Sequence, residues 1–118
     1  MELRVVLIDD DERFRAQARR SLHAEGVDVV AEVASGADAV EVVARWKPDV
    51  ALVDILMPEV DGLEVARQLQ ETDGGPAVIL ISTRDKAYGD RLASTVGARY
   101  LPKDQLSLAA ILPLARPG

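Results

Sequence analysis

The chain has 118 residues, 48% of them apolar, with a formal charge of −6 and no cysteine. That is enough for one domain with a sizeable core. The acid excess offers no electrostatic footprint for nucleic acid and repels an anionic membrane surface, and the absence of cysteine excludes disulfides and thiolate metal sites.

The opening stretch "MELRVVLIDD" lacks a signal peptide's charged-then-apolar pattern, and no apolar window reaches the length of a membrane span. A cytoplasmic protein is the expectation. "LRVVLID" (3–9) reads as a first buried strand, closed by Asp9 and Asp10. Taken alone, "DDDE" (9–12) is better read as a set of helix N-terminal acids favoured by the macrodipole. Phe14, Ala18 and Leu22 then repeat at helical spacing, and Gly26 ends that helix. His23, the only histidine, falls late in it, has no partner at ligand spacing, and reads as structural.

A second strand, "VDVVAEV" (27–33), leads to Ser35 and Asp38, a capping-box pattern for the second helix. Ala39, Val43 and Trp46 form that helix's apolar face, so Trp46 is expected to pack in the core; Pro48 follows. The third strand, "DVALVD" (49–54), delivers one carboxylate, Asp54, between apolar flanks. A charge in that position is costly unless compensated. After a third helix, "TDGGP" (72–76) marks a turn. "AVILIS" (77–82) is a fourth strand ending at Ser82, and Tyr88, Leu92 and Val96 stripe a fourth helix that Gly97 terminates. "RYLP" (99–102) is the fifth strand and Lys103 follows it. A fifth helix starts near Asp104, with Pro113 expected to end or kink it. Residues 1–114 then form the domain and 115–118 a tail or the start of a linker.

Near-continuous apolar strands suggest a sheet covered on both faces, hence parallel. Five strand–helix alternations indicate a doubly wound α/β domain, in which ligands collect at the carboxyl ends of strands near the switch point. Asp9, Asp10, Asp54, Ser82 and Lys103 all fall at that end. Clustered carboxylates repel one another, and Mg²⁺, which uses one or two carboxylates with waters and phosphate oxygens, relieves that repulsion. Ser82 alone is an ordinary loop hydroxyl and Lys103 alone a solvated charge; their shared location favours a site.

The quoted segments resemble the receiver domain of bacterial two-component response regulators. "VVLIDDDERFR" is similar to that family's first strand and acidic pair, and "PDVALVDILMPEVDGLEVARQL" to its phosphoacceptor strand. "VILIST" is similar to its hydroxyl-bearing strand and "GARYLPKD" to the strand that carries the lysine. The resemblance covers essentially the whole chain. It implies a flavodoxin-like doubly wound (βα)5 fold with a five-stranded parallel sheet in the order 2-1-3-4-5. It also implies that Asp54 accepts a phosphoryl group from a sensor histidine kinase or phosphotransfer protein. Asp9, Asp10, Asp54 and the backbone carbonyl of Leu56 would hold Mg²⁺, with Mn²⁺ as the alternative ion. Lys103 would pair with the phosphoryl group, Ser82 would swing to it, and Tyr100 would rotate inward behind. The surface of the fourth helix, fifth strand and fifth helix would then signal to an output domain or partner protein, with homodimerisation on phosphorylation as a family expectation. Such a domain catalyses its own phosphorylation and slow dephosphorylation and is not a conventional enzyme.

Several positions depart from the family pattern. Thr83 stands where a very small residue is usual, and Leu56 and Arg84 occupy the positions that tune dephosphorylation. Apolar Leu56 and long Arg84 would hinder the attacking water and prolong the phosphorylated form. The Gly97–Lys103 spacing is one residue short, and Asp104 replaces the frequent proline, so the Lys103–Asp104 bond has no intrinsic cis preference. Two other chemistries fit less well. An aspartyl-phosphate hydrolase needs a proton donor where Leu56 stands, and a flavin site would be repelled by Asp9, Asp10 and Asp11. A receiver-like binding module that works without phosphorylation is the remaining alternative.

Overall fold

A computed structural model of the chain describes residues 2–58 and 60–115. Its five strands are β1 (Arg4–Ile8), β2 (Asp28–Val33), β3 (Val50–Asp54), β4 (Ala77–Ser82) and β5 (Arg99–Pro102). The helices between and after them are α1 (Glu12–Ala24), α2 (Ala39–Trp46), α3 (Gly62–Gln70), α4 (Lys86–Ser94) and α5 (Leu108–Ala115). Every strand pairing is parallel and the order is β2-β1-β3-β4-β5. The fold is the expected flavodoxin-like one. Strand order reverses between β1 and β3, the two strands whose ends carry Asp9 and Asp54, so the site lies at the topological switch point.

The central strands are apolar throughout because both faces are buried, and successive residues serve opposite faces. Val6, Ile8, Ala51, Val53 and Leu80 pack toward Val43 of α2, Val65 and Leu69 of α3 and Ala93 of α4. Val5, Leu7, Leu52, Ile79 and Ile81 pack toward Ala18 and Leu22 of α1 and Ile111 of α5. Two aliphatic layers thus clamp the sheet and fix the heights at which its strands end.

Four local expectations need correction. Trp46 is 44% exposed: the buried stripe of α2 stops at Ala39 and Val43, and Trp46 lies in the last turn, where Arg4 binds its carbonyl and that of Lys47. Ser35 does not cap α2 but a 3₁₀ turn, Gly36–Asp38, by accepting from the Ala37 N–H. Asp38 precedes α2 without a side-chain capping bond. In α4 the buried face is Gly89 and Ala93, while Tyr88 and Leu92 are half-buried and Val96 lies beyond the helix end. Only small residues fit there, because a Cβ at Gly89 would collide with the Tyr100 ring. Finally, residues Lys103–Gln105 form a 3₁₀ turn and α5 starts at Leu108, not near Asp104. The helix runs past Pro113 to Ala115, because Leu114 and Ala115 pack on the core and hold the last turn in place. Residues 116–118 of the expected tail lie outside the described residues. All described peptide bonds, Lys103–Asp104 included, are trans.

Candidate functional site

The acid run after β1 divides its labour. Asp11 is the N-cap of α1, its carboxylate accepting from the Arg13 and Phe14 N–H groups, and Glu12 supplies the first-turn charge. Asp9 and Asp10 are left for the cleft. Asp9 is fully buried and accepts from the Asp11 N–H at 2.9 Å, while Asp10 is exposed at the mouth. Asp54, 5% exposed at the end of β3, meets them there: one ligand atom from each of the three acids lies within 4.8 Å of the others.

Local folding after β3 explains how Asp54 is held. Its Oδ1 accepts from the Leu56 N–H at 3.0 Å. Leu56 bridges back to Asp61 across the turn, and Asp61 caps α3 through the Leu63 N–H. Gly62 lies so close to the Asp54–Ile55 backbone that an added Cβ would be 2.8 Å from the Ile55 Cα and nearer still to the Asp54 carbonyl. The Asp-Gly of the "MPEVDG" segment is therefore a capping and clearance device that seats α3 on the end of β3.

Burial first, and then the negative charge of Asp9, push the Asp54 carboxyl up from 3.8 to about 6, against the opposing pull of the Leu56 N–H and Lys103. Lys103 answers both acids. Its ammonium is 2.7 Å from Asp9 Oδ2 and 3.5 Å from Asp54 Oδ2, and it rests 4.3 Å above the Phe14 ring. The pairing with Asp9 lacks hydrogen-bond alignment, so Asp9 Oδ2 remains a buried oxygen with no hydrogen bond. Hard oxygen donors in this number, one of them without a hydrogen bond, fit a divalent cation such as Mg²⁺.

On the β4 side, Ser82 is buried and its hydroxyl accepts from the Arg84 N–H at 3.2 Å. Tyr100 already lies inward, 4% exposed, donating its hydroxyl to the Arg84 carbonyl at 2.6 Å and more weakly to that of Ser82 at 3.3 Å. The space left by Gly89 admits the ring; no inward rotation is needed to reach this position. Thr83 is exposed at the rim of the groove that Phe14 and Lys103 also line. Leu56 is 51% exposed, and Arg84 stacks its guanidinium 4.2 Å over Tyr88. The structure thus brings Asp9, Asp10, Asp54 and Lys103 together, places Ser82 and Tyr100 around the Arg84 loop, and sets Leu56, Thr83 and Arg84 at the surface. His23 is exposed on α1, among the basic residues Arg19 and Arg20.

Two residues at the site escape the sequence reading. Arg15 donates to the Asp9 carbonyl at 2.6 Å and to Glu32 at 3.2 Å, and Glu32 also pairs with Arg19. Glu32 is the one charge within "VVAEV" of β2, the signal that singled out Asp54.

The family model for the response regulator receiver domain matches residues 5–111. Among curated proteins, the chain is similar to the response regulator MprA of Mycobacterium leprae, at 41% identity over 104 residues that cover 86% of the chain and 44% of that protein. The MprA of Mycobacterium ulcerans is 40% identical over 106 residues, covering 87% and 44%. The chain therefore spans less than half the length of these relatives. Among solved structures, the signal receiver domain of the response regulator NarL from Mycobacterium tuberculosis aligns with a TM-score of 0.84 and 36% identity, covering 97% of the chain and 96% of that domain. The BeF3-activated N-terminal receiver domain of RstA from Klebsiella pneumoniae aligns with a TM-score of 0.79 and 31% identity, covering 97% and 99%.

Proposed function

This chain belongs to the response regulator receiver domain family of two-component systems, and from that premise we propose that Asp54 is its phosphoacceptor. The observation that carries the reading is the convergence of Asp9, Asp10 and Asp54 with Lys103, whose ammonium pairs with a buried Asp9 oxygen that has no hydrogen bond. An Asp54 oxygen attacks the phosphorus of a phosphohistidine on a sensor kinase or phosphotransfer protein. The O–P bond forms as the P–N bond breaks, and the electron pair returns to the imidazole nitrogen. Asp9, Asp10, Asp54 and the Leu56 carbonyl are the residues that would hold Mg²⁺, or Mn²⁺ in its place, which would supply neutralisation of the phosphoryl oxygens as charge spreads over them.

The remaining steps belong to the chain's own side chains. Lys103 leaves its carboxylate partners for a phosphoryl oxygen, which suits a mobile ammonium on a flexible stem. The Ser82 hydroxyl turns from the Arg84 N–H toward another oxygen, and Tyr100 keeps hold of the Arg84 carbonyl. Movement of that loop reaches the α4–β5–α5 face, which passes the signal to an output domain, a partner protein or a second copy of the chain. The receiver unit occupies residues 1–114, acts in the cytoplasm and makes no nucleic-acid contact of its own. Among the described residues no helix is long and apolar enough to cross a membrane.

The test is intact mass after incubation with acetyl phosphate, with and without Mg²⁺, beside Asp54→Ala. A gain of one phosphoryl group that needs the metal and vanishes in the variant is the expected result. No gain in the folded parent would return the domain to the alternative, a binding module that signals without phosphorylation.

Leu56 and Arg84 then govern how long the acyl phosphate survives. An apolar Leu56 at the mouth offers no hydrogen bond to an attacking water, and Arg84 occupies the facing loop. Replacing both, as Leu56→Asn with Arg84→Ala, is expected to shorten the half-life of the phosphorylated form by about tenfold, or about 1.4 kcal/mol of barrier. Phosphate release followed over time measures it, and an unchanged half-life refutes the assignment.

A further inference from the structure

We propose that Arg15 is a positioning residue for the Asp9–Asp10 pair, anchored in turn by Glu32 and Arg19. Asp9 is the first residue beyond β1, so its carbonyl has left the strand ladder. Its N–H still donates to the Val33 carbonyl at 3.0 Å. Its C=O accepts from Arg15 Nη1 at 2.6 Å. The same guanidinium donates from Nε to Glu32 Oε1 at 3.2 Å, and Arg19 takes the other Glu32 oxygen. Glu32 and Val33 are adjacent at the end of β2, opposite Leu7 and Ile8 of β1. The end of β2 therefore grips Asp9 twice, directly by its N–H and through Arg15 by its carbonyl.

That carbonyl belongs to the peptide joining Asp9 to Asp10. Fixing its plane fixes the position of the Asp10 Cα and the N–Cα bond about which the residue turns, and so narrows where the exposed Asp10 carboxylate can meet those of Asp9 and Asp54. The planar fork of arginine suits a two-acceptor bridge of this kind, and a lysine cannot reproduce it. The Arg15 side chain is only 14% exposed, which keeps water from substituting for it at the carbonyl. Groups that orient metal ligands from outside the coordination sphere commonly alter affinity by about 10–100-fold when removed.

The inference rests on the reading of this acid cluster as a Mg²⁺ site, and charge separates positioning from bulk electrostatics. Deleting a cation beside an acidic cleft should, by Coulomb's law alone, tighten Mg²⁺ binding. Loss of positioning does the opposite. Calorimetric titration with Mg²⁺ of the parent, Arg15→Met and Arg15→Lys decides between them, with circular dichroism and thermal melting confirming that each is folded. Arg15→Met is expected to bind Mg²⁺ about tenfold more weakly. Arg15→Lys, which keeps the charge and loses the fork, is expected to fall between the two. Unchanged or tighter binding in folded Arg15→Met overturns the proposal. Should that variant fail to fold, Arg15→Lys decides alone, and parental affinity there overturns it. A parent that binds no Mg²⁺ removes the metal-site reading and this inference with it. A parent that binds normally beside an unaffected Arg15→Met removes the positioning role and leaves the site reading standing.

Discussion

Gly62→Ala is expected to lower the unfolding free energy by about 3 kcal/mol, at the upper end of what overpacking costs, with the denaturant slope unchanged. The added methyl would meet backbone atoms, the Asp54 carbonyl and the Ile55 Cα, and no flexible side chain stands between that could yield. Relief requires the start of α3 to lift off the end of β3, which strains the Asp61 cap and the Leu56–Asp61 bridge together. Urea unfolding curves of the parent and variant give the difference from their midpoints. Gly74→Ala is the matched control. Gly74 has φ +70° with nothing within 4 Å of an added Cβ, so its cost is backbone strain alone, about 1 kcal/mol. Equal losses at the two positions would mean that α3 is free to move and that its seating does not fix Asp54.

Asp54→Asn should have the opposite sign: without metal it is expected to stabilise the fold by about 2 kcal/mol at pH 7.5. The Asp54 carboxyl titrates near 6 in the folded chain against 3.8 for an unperturbed group, a gap equivalent to about 3 kcal/mol. Part of that is returned because, with its oxygen kept on Leu56, the amide turns its NH2 toward the Lys103 ammonium, which lies 3.5 Å from Asp54 Oδ2 in the parent. Asparagine keeps the carbonyl oxygen that accepts from Leu56. The pH dependence carries a definite sign. A carboxyl raised on folding means that the native state binds more protons than the unfolded one, so the parent loses stability as pH rises from 3.8 through 6. The advantage of Asp54→Asn is therefore full above about pH 6, shrinks between 6 and 4, and vanishes below. Melting in EDTA across pH 4–8 measures it, and a gap independent of pH would place its origin outside Asp54. Millimolar Mg²⁺ should narrow or reverse the gap, because an ion bound only by the folded parent stabilises it by mass action.

Sequence and structure agree most closely where burial leaves a residue no freedom. The inner strands are apolar on both faces, so their identity, their parallel pairing and the single intruding carboxylate of Asp54 are all legible. Glu32 presents the same intrusion in β2, but β2 is an edge strand whose residues are mostly half-buried. There a charge reads as a solvated side chain. Nothing in the spacing reveals that Arg15, seventeen positions earlier, turns the edge into part of the site. Helix faces are less legible still. In α4 the apolar stripe Tyr88–Leu92–Val96 outweighs Gly89 and Ala93 by composition, yet the latter two face the core, because the Tyr100 ring takes the volume that larger side chains would need. Trp46 errs the other way: its spacing matches the buried face of α2, but the helix ends there. Pro113 breaks a hydrogen bond, as its chemistry requires, while tertiary contacts of Leu114 and Ala115 carry α5 onward.

The loop after β4 has a thermodynamic consequence of its own. Arg84 is held through both of its peptide groups, its N–H by the Ser82 hydroxyl and its carbonyl by Tyr100. Each such bond is worth about 1 kcal/mol net, so the second arrangement that the proposed switch requires, with one of these bonds given up, would differ from this one by an amount comparable to a single contact. Reciprocity then follows from equilibrium alone. A protein that grips the outer face and prefers one arrangement by about 1.4 kcal/mol changes the cleft's affinity for an anion tenfold. An anion that draws the Ser82 hydroxyl away changes that protein's affinity by the same factor. Under the proposed switch a partner would thus be a ligand of the cleft without touching it, and the lifetime of the signal would depend on who is listening.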